Sequence, residues 1–390
     1  MILLRDEETK TFTHEKSALS FLEEQERQEQ WISVPVNKTK TFPLDDAPIV
    51  VEEYMKKARI EKSSAESVKE AMASTKISLL IPEDGKMTGY PVGMTAFLSL
   101  IERAGYKSSP VLTSLKSKGC QKEMSPINRS EILNLGLTCF THDAFVLIRD
   151  EKVRAVLSAK AGDYVRLPVI DLVSTLKNKV GASFKDSDFV SCTTSHEYMT
   201  YSYEIKDDDL KDEIRKSFEK TKIKLGNFRI IIKLGTSDVG LSGANLFPII
   251  QTDCRNLMIG YPIKLSHRDN HTMQDFERNV DKIFASFKEI SNRIDQLANI
   301  SIKHPYGCLS CIAKKVGLPK KLSLEVAENL ENQFGSYATG LDVFWALYEI
   351  LDKYIKTNEV TEYRQMILNE NISRIVFSDI TEYDMLFNWE

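Results

Sequence analysis

Three side chains of the right type for a metal lie close together in the chain: His304, Cys308 and Cys311. Thiolate and imidazole suit tetrahedral zinc, but a closed site needs a fourth ligand, and there is no second CxxC pair. Cys254, His267 or His271 would have to be brought in by folding. The plainer reading is two small, half-buried thiols at the start of a short helix. No metal or other cofactor is expected. His196 sits beside Glu197 and near Ser195 and Tyr198. On one strand, successive side chains point to opposite faces, so these neighbours cannot assemble a proton relay. His267-Arg268-Asp269-Asn270-His271 reads as a polar loop before a helix cap, with a functional loop as the alternative. Asp207-Asp208-Asp209 opens a helix, where the dipole favours carboxylates. The run Gly235 to Gly243 is glycine-rich, but its spacing is not that of a dinucleotide fingerprint and a strand follows it. P-loop, GxSxG, HExxH and deaminase patterns are absent. No catalytic residue is assigned, and the chain is read as a non-enzyme.

Charge offers more. The 390 residues carry 52 basic and 56 acidic side chains, a net of −4, which excludes a uniformly basic nucleic-acid-coating protein. The balance hides a segregation. Residues 1–53 hold 6 basic and 12 acidic side chains, residues 322–390 hold 4 and 13, and residues 301–321 hold 5 and none. Either the basic middle presents a surface to anions, or the acidic ends fold back and cancel it. The first option names its residues: Arg149, Lys152 and Arg154 on a hairpin, Lys160 and Arg166 after it, and the cluster Lys314, Lys315, Lys320 and Lys321. Tyr198, Tyr201 and Tyr203 on a neighbouring strand could stack bases.

Positioning these groups requires a scaffold, and 42% apolar residues can fill its core. The pattern predicts an α+β fold: a strand-rich, mostly antiparallel core followed by an all-helical C-terminal region. Residues 1–75 read as a lightly packed, mostly helical arm, with an edge strand at Trp31–Val36 because Pro35 lies inside it. Residues 76–270 read as the core domain. Within it, 75–80 is a strand, 82–93 and 107–126 are loops around a helix at 94–104, and 144–158 is a hairpin. Tyr164–Leu167 is a third short strand, 189–205 one long strand, and 228–234 and 246–252 two more. Residues 271–390 read as helical. There Met273, Phe276, Val280, Ile283, Phe287, Ile290, Ile294 and Leu297 recur at 3-4 spacing, an unbroken a/d seam. A helix at 340–356 repeats the pattern. The seams could pair within one chain or between chains. Between them, Leu309–Val316, Gly317-Leu318-Pro319 and a helix at 323–334 follow helix-turn-helix spacing. The second helix carries Glu325, Glu328 and Glu331, which repel phosphates, so a plain helical corner is the better reading.

Several blocks resemble the phage and plasmid proteins grouped as DUF932. They are Ser125-Pro126, Leu133-Asn134-Leu135-Gly136-Leu137, Val146 to Val153, Ala155 to Ser158 and Asp163-Tyr164 with Leu167-Pro168. Ser237 to Ser242, His267-Arg268, Asp275-Phe276 and Lys314 to Lys321 are similar to later blocks of its mobile-element members. The resemblance spans about residues 120–350. It implies a mobile-element or phage origin and a protein of the bacterial cytoplasm, and it supplies no activity or catalytic residue.

The resulting expectation is a non-enzymatic protein that binds nucleic acid, single-stranded DNA first, through the nine basic residues named above. The alternative is a phage-encoded module that binds or inhibits a host defence complex. Self-association fits both. No membrane span is expected, since no run approaches the roughly 18 apolar residues one needs.

Overall fold

Antiparallel pairing organises the strand-rich part of the chain, as the alternation predicts. The computed structural model describes residues 6, 8–57, 75–106, 124–184, 186–221, 223–253, 255–387 and 389. The largest sheet is a meander of β8 (Asp186–Thr194), β9 (Met199–Lys206), β10 (Phe228–Thr236) and β11 (Ala244–Thr252). The short strands β12 (Asn256–Met258) and β13 (Ile263–Leu265) both pair with β11, and β1 (Lys10–Phe12) pairs with β8.

The sheet buries both faces. Tyr201, Tyr203, Ile230, Ile232, Leu246 and Ile250 share one core with α1 (Glu15–Arg27), α5 (Val169–Ser183), α6 (Asp208–Glu219), α7 (Met273–Phe287) and α8 (Ile290–Asn299). The opposite parity, Ile231, Phe247 and Ile249, packs with Tyr198, Met258, Tyr363 and Met366. The last two belong to α12 (Glu362–Asp379). A two-faced strand buries a near-continuous apolar run, which is why β10 reads Ile-Ile-Ile.

A second core lies between two three-stranded sheets and two helices. One sheet joins β2 (Gln30–Pro35), β6 (Asp143–Arg149) and β7 (Lys152–Ser158); the other joins β3 (Lys40–Pro43), β4 (Ile77–Glu83) and β5 (Lys86–Pro91). Phe97 and Leu100 of α3 (Met94–Arg103) and Leu133 of α4 (Pro126–Thr138) close it. Ser125 caps α4 by accepting from the Asn128 amide, with Pro126 at the first position. Helix α2 (Pro48–Lys57) packs beside β5. The C-terminal helices are α9 (Pro305–Val316), α10 (Lys320–Phe334), α11 (Gly340–Thr357) and α12, with β14 (Ser301–Ile302) and β15 (Ala338–Thr339) pairing at their base. Thr272–Asp275 and Thr339–Asp342 form reciprocal capping boxes on α7 and α11.

Five expectations change. The strand expected at 189–205 is a hairpin, with Ser195-His196-Glu197-Tyr198 as its turn. That turn has no glycine or proline; instead Ser195 Oγ accepts from the amides of Glu197 and Tyr198 at 3.2 Å, so composition hides it. The stretch 82–93 is not a loop. Asp84 and Gly85 both have positive φ (47° and 78°) and turn β4 into β5. Tyr164–Leu167 forms no strand and joins no ladder. The seam over 273–297 breaks at Lys288-Glu289, although its residues from Phe276 to Leu297 stay buried. A straight supercoil needs one partner helix along its whole length. Here α7 meets β11, β13 and α5, while α8 meets α6 and α11, all in the same chain.

The N-terminal arm is distributed rather than separate: β1 joins the large sheet, β2 the 143–158 hairpin and β3 the strand at 77–83. The helical material expected beyond residue 57 and the loop at 107–126 lie, for 58–74 and 107–123, outside the described residues. Among the described residues no helix is long and apolar enough to cross a membrane.

Candidate functional site

The hairpin cations Arg149, Lys152 and Arg154 do not form a surface, which corrects the sequence expectation. They are 3%, 0% and 3% exposed. The hairpin tip is driven into the protein, with Asp150 and Glu151 both at positive φ (54° and 57°). Arg149 donates to Glu29 Oε1 at 3.0 Å, to the Asp238 carboxylate and to the His196 carbonyl at 3.0 Å. Arg154 donates to Asp6 Oδ1 at 3.0 Å and reaches His196 Nε2 at 3.1 Å. Lys152 Nζ lies 3.7 Å from Asp6 Oδ1. A guanidinium only donates, so His196 Nε2 accepts, and the ring proton sits on Nδ1, 3.8 Å from Asp150. The acidic N-terminal segment therefore folds onto these three cations and neutralises them, so for this part of the basic set the second of the two options holds.

This lattice ties together β2, β6, β7, the β8–β9 turn and the glycine loop. It gathers perturbed titrating groups, a feature shared by active sites and structural ion networks. The space around the lattice differs from side to side. The cavity against Arg149, Glu29 and Asp238 measures about 20 Å³, enough for a water and too small for a substrate. A larger cavity of about 310 Å³ touches the lattice on its other side, at Asp6 and the β8–β9 turn residues Ser195 and Glu197.

Its titration has a signed consequence. Burial, and then the Asp238 carboxylate across Arg149, pushes Glu29 up to about 7. A carboxyl with a raised folded pKa stabilises below its unfolded value, and that stability is lost as pH rises through 7. Burial, and then Arg154, lowers Lys152 to about 8. Its cost is present below pH 8 and is relieved between there and 10.5. From pH 5 to pH 7.5 we expect Glu29 to lower the urea midpoint by the equivalent of at most about 3 kcal/mol, beside a smaller loss in the same direction from Asp352, which burial raises to about 6. Glu29→Gln should flatten that limb; a Glu29→Gln variant with an unchanged pH profile would refute the assignment.

The other expected basic residues are exposed. Arg166 pairs with Glu26 and Glu29, both at 3.1 Å, and Lys160 stands in the turn after β7. Lys314, Lys315, Lys320 and Lys321 meet at one corner. Helix α9 ends on Gly317 in the left-handed region (φ 87°), with the Leu318 amide bonded back to the Ala313 carbonyl at 2.9 Å. Pro319 then starts α10 with no side-chain cap.

Lys314 and Lys315 lie at a helix C-terminus, where cations are favoured, whereas Lys320 and Lys321 lie in a first turn, where they are not. Lys315 bonds the Tyr383 hydroxyl. Among the described residues no carboxylate pairs with Lys314, Lys320 or Lys321. Arg364, which no sequence pattern flagged, adds a fifth cation, donating to the Gly317 carbonyl at 3.5 Å. The carboxylates that argued against this corner are partly engaged elsewhere: Glu331 accepts from the Tyr306 amide and Glu325 pairs with Lys353.

Placement bears on two other ideas, although Cys254, one of the ligands considered, lies outside the described residues. Tyr198, Tyr201 and Tyr203 are 5%, 0% and 4% exposed, so they offer no platform for bases. Tyr201 and Tyr203 instead direct their hydroxyls to Glu15. Cys308 is buried, and burial pushes its thiol up to about 12; Cys311 is half-buried. Among the described residues no group of three His, Cys, Asp or Glu side chains is arranged to hold a metal. Compared with known proteins, the chain matches no family model, no curated protein and no solved structure.

Proposed function

We propose that this chain is a non-enzymatic nucleic-acid-binding protein of a phage or plasmid, gripping the phosphate backbone at the α9–α10 corner. One observation carries the reading: four exposed lysines flank one interhelical turn, and among the described residues none of them is in an ion pair with a carboxylate, Lys315 bonding the Tyr383 hydroxyl instead. Two of them oppose the α10 dipole, a placement that an incoming phosphate would relieve. Lys160 and Arg166 are secondary contacts, Arg166 already sharing its charge with Glu26 and Glu29. With the tyrosines buried, recognition rests on charge and carries little sequence preference. The resemblance to DUF932 proteins supports the mobile-element origin and a place in the bacterial cytoplasm. Single-stranded DNA is the first substrate to test, with duplex as the comparison.

The test is fluorescence anisotropy with labelled oligonucleotides across a salt series. Four phosphate contacts give a log–log slope of about −3 on a single strand, or roughly a 50-fold loss of affinity between about 50 and 200 mM salt. Replacing all four lysines by glutamine should abolish most binding and flatten the slope. Absence of binding at the lowest salt would end the proposal.

A further inference from the structure

The glycine loop that supplies Asp238 also forms one wall of a polar cleft of about 430 Å³. Helix α3, the segment after β7 and the loop after β13 complete it. The volume lies within the range of small-molecule sites. The cleft shares no residue with the lysine corner, and its ligand chemistry is independent of the proposed function.

Its polar groups are under-used. Arg103 Nε is buried without a hydrogen-bond acceptor, and its guanidinium reaches Glu102 only at 3.5 Å. Arg268 is exposed, and among the described residues no carboxylate pairs with it. His267 is 6% exposed and directs Nδ1 to the Val165 carbonyl at 3.0 Å. A carbonyl accepts, so Nδ1 carries the proton in the neutral ring. Nε2 is buried, out of reach of a ligand in the cleft, so the ring serves as a fixed wall. Burial holds the His267 pKa below its ordinary value, which keeps the ring neutral. The ring is fixed from behind: it stacks on Tyr164 at 5.4 Å, which stacks on Trp31 at 5.6 Å.

The lining selects a chemistry. A bare anion would meet the carboxylates of Glu102 and Asp163, and a bare cation would meet Arg103 and Arg268. A molecule carrying one phosphate and several hydroxyls answers both sets. Guanidinium donors suit phosphate, while carboxylates accept from hydroxyls. We propose that this cleft is a binding site for a sugar monophosphate. The phosphate sits on Arg103 and Arg268, and the hydroxyls donate to Asp163 and Glu102.

Isothermal titration of the full chain with ribose 5-phosphate tests this, with inorganic phosphate and free ribose as partial probes. The expected result is binding of ribose 5-phosphate at least tenfold tighter than either part. Arg103→Gln and Arg268→Gln should each weaken it at least tenfold. Arg268 is an exposed loop residue, so if Arg103→Gln does not fold, Arg268→Gln decides alone. No binding at millimolar ligand, unchanged affinity in the decisive variant, or inorganic phosphate binding as tightly as ribose 5-phosphate would each overturn the assignment. Adenosine 5′-monophosphate separates the sources: tighter binding assigns a nucleotide, weaker binding a free sugar phosphate, and both support the site's chemistry.

Discussion

Arg149→Met is expected to destabilise the protein by about 3–5 kcal/mol, the usual cost of removing one partner from a buried ion pair. The guanidinium is 4% exposed and answers two carboxylates, Glu29 and Asp238, which are 7% and 15% exposed. Methionine fills similar space but leaves both carboxylates without their central counter-ion. The His196 carbonyl loses its donor as well. Measured at pH 8, where Glu29 with its pKa of about 7 is ionised in the folded wild type, the loss should therefore come from uncompensated charge rather than from a cavity. Urea unfolding separates the two causes. Adding Glu29→Gln and Asp238→Asn to Arg149→Met should restore most of the stability, because neutral amides cost far less to bury than ions. A single variant within about 0.5 kcal/mol of wild type would show that the lattice contributes little.

Gly243→Ala is the second large effect. A Cβ at that position would lie 2.0 Å from the Leu265 carbonyl oxygen, 2.8 Å from its carbon and 3.0 Å from Ser266 Cα. These are backbone atoms held by the adjacent Ala244–Leu265 pairing of β11 and β13, so no rotamer change can clear them. The strands must separate, and we expect a cost of about 3 kcal/mol, at the upper end of overpacking. Gly181 in α5 provides the contrast. Nothing lies within 4 Å of a Cβ there, and alanine in a helix is favoured over glycine. Gly181→Ala should therefore stabilise by roughly 0.5–1 kcal/mol. Thermal melts of the two variants should move in opposite directions; a shared direction would mean that close approach is not what keeps glycine at 243.

Much of the fold can be read from short-range rules. Thr272 and Asp275, or Thr339 and Asp342, cap a helix through atoms three residues apart. Ser125-Pro126 starts α4, and the apolar runs at 144–148 and 153–157 pair across a two-residue turn. The failures share a cause. The 195–198 turn is made by one serine hydroxyl rather than by glycine or proline. The seam at 273–297 keeps its apolar stripe through the break, so periodicity cannot show the bend.

The candidate site divides in the same way. The lysine corner was legible because its four cations lie within eight residues of one another around a Gly-Leu-Pro turn. Arg364 joins them from 47 positions away, and no local pattern announces it. The sugar-phosphate cleft was half visible: the glycine loop and His267-Arg268 stood out, while Arg103 did not.

By itself the sequence determined the strand and helix content, the antiparallel bias, the helix starts and the segregation of charge, because each depends on neighbours in the chain. Only the tertiary structure decided which cations are available. Arg149 meets Glu29 across 120 residues and Arg154 meets Asp6 across 148. Whether a charge faces water or a counter-ion depends on what packs over it, and in this protein the covering residues come from the far end of the chain.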